Sequence, residues 1–97
     1  MQLDLLSGAE NDLFEAIEYF QDLEVSVDFH QRITSLLGLV KDFPYMGRHY
    51  KAGFRVVFEL RYQYGIYYKV HGNRIAVAAI VPQRDDPKFL HRRLKLD

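Results

Sequence analysis

The apolar residues of this chain change their spacing once, near its middle, and the change limits the folds available to it. Up to about residue 42 they recur every three or four positions, as on one face of a helix. From residue 54 they alternate or run without interruption, as in strands. Helices followed by strands predict an α+β fold, in which a two-helix hairpin packs on a curved antiparallel sheet.

Two amphipathic helices are predicted in the first half. Ser7 and Glu10 have the spacing of a capping box, so the first helix should begin near Gly8. We expect a short connection over residues 23–26, and the second helix must end before Pro44. Both apolar stripes have the same offsets; they are Ala9, Leu13, Ala16, Ile17 and Phe20 in the first helix, and Phe29, Ile33, Leu36, Leu37 and Val40 in the second.

Three strands are predicted in the second half, as an antiparallel meander. In "FRVVFEL" the alternation places Phe54, Val56, Phe58 and Leu60 on one buried face. "YGIYYKV" and "RIAVAAIV" follow, joined by a tight turn at residues 71–73. The last strand is apolar on both faces, which favours a central position. "DLL" near the start can add an edge strand, and "DPKFLHRRLKL" predicts a short basic helix with Pro87 in its first turn.

Length and composition predict one small domain, residues 1–97, in the cytoplasm. The chain has 97 residues, 48% of them hydrophobic, which is enough for a single core. It has no cysteine, so disulfides and thiolate metal sites are excluded. No apolar run approaches the roughly 20 residues of a membrane span, and the start lacks the basic segment of a secretory signal. We expect a soluble protein without a membrane partner.

Charge is divided unequally between the two halves. Residues 1–42 hold nine acidic and two basic side chains, a balance of −7, and residues 43–97 hold eleven basic and four acidic ones, a balance of +7. The basic half could meet nucleic acid or an acidic protein segment. Alternatively, the two halves attract each other within one fold.

Catalytic and metal-binding patterns are scarce. The serines and the single threonine all lie in the helical half, and the four histidines are scattered. No glycine-rich phosphate loop exists, so we expect neither a cofactor nor a metal. Asp85 and Asp86 are predicted to cap the last helix and to pair with Arg84.

One predicted sheet face carries cations and aromatic rings that could hold RNA. Arginine can bind phosphate in a bidentate manner, and tyrosine can stack on bases. The same composition also suits an ordinary solvated face, and Arg84 could simply pair with Asp85, Asp86 or Glu59. The residues of this face are Arg55, Glu59, Arg61, Tyr67, Lys69 and Arg84.

The ordered set of short motifs resembles the RelE/ParE superfamily of toxins from bacterial type II toxin-antitoxin modules. The motifs are "AIEYF", "FPYMGR", "GFRVV", "YGIYYKV", "RIAVAAIV" and "QRDDP", and the resemblance covers about residues 3–94. It implies a cognate antitoxin whose C-terminal segment wraps the toxin, in a hetero-oligomer. For contact with partners we expect Arg61, Tyr67, Lys69, Arg92 and Arg93.

The resemblance implies one of two activities. RelE-like members cut mRNA in the ribosome, and Arg55 and Arg84 match two of their basic catalytic positions. Gly65 stands where such members have an arginine, and Phe89 or Leu90 where a tyrosine is expected. Without that cation and hydroxyl, a metal-free ribonuclease loses much of its means to stabilise a phosphorane and move protons. The near-neutral net charge also disfavours ribosome binding.

ParE-like members instead inhibit DNA gyrase, and "QRDDPKF" is similar to their segment after the last strand. Pro82 and Asp85 depart from that segment, where a histidine and a second arginine are usual. We therefore expect a ParE-like toxin of a plasmid-stabilisation system that acts on gyrase. Ribosome-dependent mRNA cleavage by a RelE-like toxin is the alternative.

Overall fold

The computed structural model of the protein describes residues 1–96, and Asp97 lies outside the described residues. Five strands form one sheet in the order β1-β5-β4-β3-β2, with two long helices against one face and a short one against the other. The elements are β1 (Gln2–Leu5), α1 (Ser7–Tyr19), α2 (Leu23–Asp42), β2 (Arg48–His49), β3 (Phe54–Glu59), β4 (Tyr64–His71), β5 (Arg74–Pro82) and α3 (Pro87–Leu94).

The α+β class and the helical hairpin on a sheet are confirmed. The meander β3-β4-β5 is antiparallel, and the edge strand β1 pairs with β5 in parallel, so the sheet is mixed. The turn between β4 and β5 contains Gly72 with a φ of 57°, a conformation that glycine adopts without steric cost. The two-residue edge strand β2 is too short to leave a period in the sequence, and it was not predicted. Within residues 1–96, no helix is both long and apolar enough to cross a membrane.

The first helix begins at Ser7, close to the predicted Gly8, but its predicted cap and the predicted start of the second helix need correction. Leu6, rather than Ser7, occupies the N-cap of α1, and no side chain caps this end, so the capping box is wrong. The reason is that the Leu6 N–H still bonds to β5, and the chain passes directly from strand into helix. α2 begins at Leu23, where Asp22 accepts a hydrogen bond from the N–H of Val25 at 3.1 Å. The connection is therefore residues 20–22, and the predicted end before Pro44 is confirmed.

Both faces of the sheet are buried, which explains why the alternation in β3 was misleading. The helical hairpin covers one core, which includes Phe29, Ile33, Ile66 and Tyr68. α3 covers a smaller core on the opposite face, built from Phe54, Val56, Tyr67, Ala79, Val81, Leu90 and Leu94. Val57 and Glu59, predicted to face solvent, are buried, whereas Leu60, predicted to be buried, is 78% exposed beyond the end of β3.

The outer edge of β5 is closed in two different ways. β1 pairs with its first part only, as far as Val77. Beyond that point Arg93 of α3 donates to the carbonyl of Ala78 at 3.2 Å, and Asp12 of α1 accepts from the N–H of Ile80 at 2.9 Å. Side chains therefore protect this part of the edge where a neighbouring strand is missing.

Candidate functional site

The cations and aromatic rings predicted to share one sheet face are divided between two faces. In an antiparallel pair, residues directly opposite each other project to the same side. Arg55 stands opposite Tyr68 on the side of the helical hairpin, whereas Lys69 stands opposite Phe54 on the side of α3. Tyr67 also belongs to the α3 side. The expectation of a common binding face is therefore wrong.

Arg55 holds the loop that follows α2. Its Nη1 donates to the carbonyl oxygens of Gly47 at 2.7 Å and Tyr45 at 3.2 Å, and its guanidinium lies 5.1 Å from the centre of the Tyr45 ring. Tyr68 supports the same loop, because its hydroxyl accepts from the N–H of Gly47 at 3.0 Å and donates to the carbonyl of Pro44 at 2.8 Å. A Cβ at position 47 would lie 2.5 Å from that hydroxyl, so the loop requires glycine there.

The loop held in this way presents apolar side chains to solvent. Phe43, Tyr45 and Met46 are 63%, 61% and 45% exposed, and Pro44 lies among them. We call residues 43–46 the apolar loop. Exposed apolar patches of this kind are typical of interaction surfaces.

Tyr67 and Lys69 lie on the α3 side of the sheet, where both contact aromatic rings. Tyr67 is buried, contacts Tyr50 edge to face, and burial raises the pKa of its hydroxyl. The Lys69 ammonium lies 4.6 Å from the centre of the Phe54 ring. Tyr50 in turn shares a hydrogen bond of 2.8 Å with His91 of α3. Tyr50 thus joins α3 to Tyr67 of the sheet.

Arg61 lies on the other side of the molecule, in a small polar cluster around Asp28. The Asp28 carboxylate accepts from the Tyr62 hydroxyl at 2.7 Å and from Arg32 at 3.0 Å, and Arg61 lies 3.4 Å from it. The hydrogen bond from Tyr62, followed by that from Arg32, lowers the pKa of Asp28, and the same bond raises the pKa of Tyr62. An open groove of about 540 Å³ continues from this cluster between α2 and β3, past Leu39 to Leu60.

Arg92 and Arg93 are neighbours in α3 but have different surroundings. Arg92 is exposed. Arg93 forms a bidentate ion pair with Asp12, at 2.8 Å for each bond, with side chains that are 24% and 9% exposed. Asp12 was missed from the sequence, although its position three residues after Ala9 and four before Ala16 places it on the buried stripe of α1.

Arg84 follows β5 and lies on the side of α1. It is exposed, and its guanidinium is 5.9 Å from the centre of the Tyr19 ring. Its predicted ion pairs with Asp85, Asp86 or Glu59 are absent from residues 1–96. Asp86 caps α3 by accepting from the N–H of Lys88 at 2.9 Å, as predicted.

Part of the opposite charge of the two halves is used in ion pairs between them. Three of the ion pairs join the acidic half to the basic half, namely Asp4–Arg74, Asp12–Arg93 and Asp28–Arg61. Among residues 1–96, no three histidine, aspartate or glutamate side chains come together in a way that could hold a metal ion.

The arginines matched to catalytic positions do not converge. Arg55 lies in the row Arg55–Tyr68–Val77, and Arg84 comes after the row Glu59–Tyr64–Pro82. The rows are four residues apart along β3, roughly 13 Å at about 3.3 Å per residue, and β3 and β5 are about 10 Å apart across the sheet. The Arg55 guanidinium is bonded to the loop after α2 and the Arg84 guanidinium lies against Tyr19 of α1, so in this arrangement the two do not meet at one phosphate.

A sequence profile described as the ParE toxin of the type II toxin-antitoxin system parDE matches residues 3–87. The chain belongs to the ParE toxin family. A solved structure titled "Chromosomal ParDE TA system from P. aeruginosa" has the same fold as this ParE-family chain, with a TM-score of 0.75 at 20% identity. The match covers 84% of this chain and 95% of that one. No curated protein matches the sequence of this family member.

Proposed function

We propose that this ParE-family chain is the growth-inhibiting partner of a toxin-antitoxin pair, that it acts by binding DNA gyrase, and that a cognate antitoxin neutralises it. The separation of Arg55 from Arg84 is the observation that favours binding over catalysis. Arg55 already donates to two backbone carbonyls, and Arg84 lies beside α1. Phosphate chemistry without a metal needs donors that are preorganised around one reacting group.

The exposed surface of α3 supports the gyrase part of the proposal. Lys88, Arg92 and Lys95 are exposed there, and Phe89 is 40% exposed beside them. An aromatic ring among cations suits an interface with another protein, because such interfaces are enriched in aromatic residues and arginine. Arg93 is left out of this contact, because it is paired with Asp12.

The apolar loop supports the antitoxin part of the proposal. It lies beside Arg48 and Arg55, within the half of the chain that carries the positive balance. A partly disordered peptide with apolar anchors and acidic side chains would complement it. Calorimetry with the isolated antitoxin should show an affinity that falls as salt rises. An affinity that salt leaves unchanged would contradict the acidic peptide.

The test of the target uses two assays in parallel, gyrase supercoiling and mRNA cleavage by translating ribosomes. We expect the double variant Lys88→Ala, Arg92→Ala to lose gyrase inhibition by about tenfold or more, because it removes two cations from the contact. The control is Arg74→Ala, which removes an exposed cation on the far hairpin turn and should leave inhibition unchanged. Circular dichroism must show that each variant is folded.

The same pair of assays decides the alternative. RelE-like members cut mRNA, and this activity would be favoured if the chain cleaved mRNA on ribosomes and the Arg84→Ala variant did not. That result, together with intact supercoiling activity of gyrase in the presence of the wild-type chain, would overturn the proposed target.

A further inference from the structure

A cleft opens between α1 and the end of β5, on the stretch of edge that β1 leaves uncovered. We call it the α1–β5 cleft. It has a volume of about 240 Å³. The side chains that define it are Glu15, Tyr19, Tyr64, Arg84, Asp85 and Phe89. Its size is below the roughly 300 to 1,000 Å³ of pockets for drug-sized molecules, so it suits one side chain better than a cofactor.

A tyrosine hydroxyl that forms no hydrogen bond within residues 1–96 lies at this cleft. Tyr64 is only 4% exposed, because its ring packs against Phe20 and Phe29 in the core under the helical hairpin. Its hydroxyl forms no hydrogen bond within residues 1–96, whereas Tyr62 and Tyr68 each use theirs. No fully enclosed side-chain oxygen or nitrogen of residues 1–96 lacks a partner, so the Tyr64 hydroxyl must border the open space of the cleft.

The charges around the cleft favour a cation as its occupant. Asp12 is neutralised by Arg93, but Glu15 and Asp85 form no ion pair within residues 1–96. The wall formed by α1 has further acidic residues and no lysine or arginine. Within residues 1–96, Arg84 is the one cation in the lining, with its guanidinium 5.9 Å from the centre of the Tyr19 ring. Arg93 lies nearby, paired with Asp12 and 5.9 Å from the centre of the Phe89 ring.

We propose that the α1–β5 cleft binds the guanidinium group of one arginine side chain presented by a partner protein. Glu15 and Asp85 supply carboxylates that can accept its N–H groups, and the Tyr64 hydroxyl is a further acceptor at the floor. Tyr19 supplies an exposed aromatic ring on which a planar cation can stack, whereas the Phe89 ring already has the Arg93 guanidinium 5.9 Å from its centre. The inference goes beyond the proposed function, because it requires neither gyrase nor an antitoxin as the partner.

The effect of removing Arg84 on binding affinity distinguishes a cationic ligand from an anionic one. A bound guanidinium would compete with Arg84 for the Tyr19 ring and would be repelled by its charge. An anionic ligand would instead depend on Arg84 as its main source of attraction. Removing Arg84 therefore strengthens binding of a cation and weakens binding of an anion.

The test uses the full-length protein labelled with ¹⁵N and Nα-acetyl-arginine amide as the probe. We expect chemical-shift changes at amides of α1 and of residues 80, 81 and 83–86, with a dissociation constant on the order of millimolar, as is reasonable for a single side chain. The matched probe is Nα-acetyl-citrulline amide, which has nearly the same shape without the charge and should bind at least about fivefold more weakly. Inorganic phosphate tests the anionic alternative.

Substitutions test whether the chemical-shift changes arise from binding in the cleft. Glu15→Gln should weaken arginine binding several-fold, Arg84→Ala should strengthen it, and Glu18→Gln on the same helix should leave it unchanged. Tyr64→Phe should weaken binding without lowering the free energy of unfolding, since the hydroxyl has no internal partner to lose. Equal binding of the citrulline probe would overturn the proposal. Failure of the arginine probe to shift the cleft amides, or phosphate binding that disappears with Arg84→Ala, would also overturn it.

Discussion

The two faces of the sheet are buried by different means. The helical hairpin covers its face with two long helices whose apolar stripes meet Val57, Ile66 and Ile75. α3 covers the other face with eight residues, of which only Leu90 and Leu94 are buried. The first face is held mainly by apolar packing. The second combines a small apolar contact with the Arg93–Asp12 ion pair and the Tyr50–His91 hydrogen bond.

This difference shows how a short helix can be fixed to a sheet that it covers only in part. Burial of two leucines stabilises α3 by a few kcal/mol, at about 1.5–3 kcal/mol for each side chain. Ordering eight residues costs more than this, at about 1–2 kcal/mol of backbone entropy for each residue. The ion pair with α1 therefore contributes a part that the apolar contact cannot supply, and it joins the elements on the two faces around the edge of β5.

The largest expected effect is in the core under the helical hairpin. Phe29 is fully buried, with ring centres of Tyr64 and Phe20 at 4.8 and 5.0 Å. Phe29→Ala should lower the free energy of unfolding by about 3–5 kcal/mol, because it leaves a cavity that helices and sheet cannot close. Urea denaturation followed by circular dichroism measures it.

Leu94→Ala is the matched change on the other face, and we expect a loss near about 2 kcal/mol. It should be smaller because α3 can detach without opening the rest of the protein. Hydrogen exchange should accordingly quicken at α3 in this variant and leave β4 protected. A global loss as large as that of Phe29→Ala would mean that the two cores unfold as one unit.

The ion pair of α3 gives the next largest effect. Arg93→Met keeps the apolar stem of the side chain but leaves the Asp12 carboxylate, which is 9% exposed, without its charge partner. We expect a loss of about 2 kcal/mol in denaturation experiments, since the pair is only partly buried. The adjacent, exposed Arg92→Met is the control and should change stability by less than about 0.5 kcal/mol. Equal effects of the two variants would show that the ion pair is not what fixes α3.

The smallest effect concerns Asp28, on the exposed rim of the helical hairpin. Its pKa lies below the ordinary value of 3.8 in the folded protein, chiefly because the Tyr62 hydroxyl donates to it. A lowered folded-state pKa contributes stability that is present above about pH 4 and is lost as the pH falls through the folded value. Wild-type protein should therefore lose more stability between pH 5 and pH 3 than Asp28→Asn does. Parallel losses in the two proteins would contradict this role of Asp28.

The sequence predicts elements well where one period dominates. The apolar stripes of α1 and α2 and the turn at Gly72 are predicted because helix and hairpin geometry determine where such residues can stand. It fails in β3, because the helical hairpin buries the face of Val57 and Glu59 while α3 buries the face of Phe54 and Val56. Leu60 is exposed because it lies beyond the end of the strand. Alternation indicates the buried face of a strand only when the other face meets water.

The candidate site was harder to predict, because the roles of its arginines depend on contacts between distant segments. Arg55, Arg84 and Arg93 have the same side chain, yet they respectively hold a loop, line a cleft and close a strand edge. Only the role of Arg93 had a signal in the sequence, because its partner Asp12 lies within the buried stripe of α1. The composition of the basic half indicated binding without showing which cations are already paired.

The parallel pairing of β1 with β5 affects how the chain can mature during synthesis. Gln2 pairs with Arg74, so β1 must wait for a strand that begins 72 positions later in the chain. Contacts this far apart in the chain form late and slow folding. Until β5 emerges, a nascent chain has two amphipathic helices and no finished surface to pack them on. Chaperones that recognise exposed apolar surface are thus expected to meet this protein throughout most of its translation.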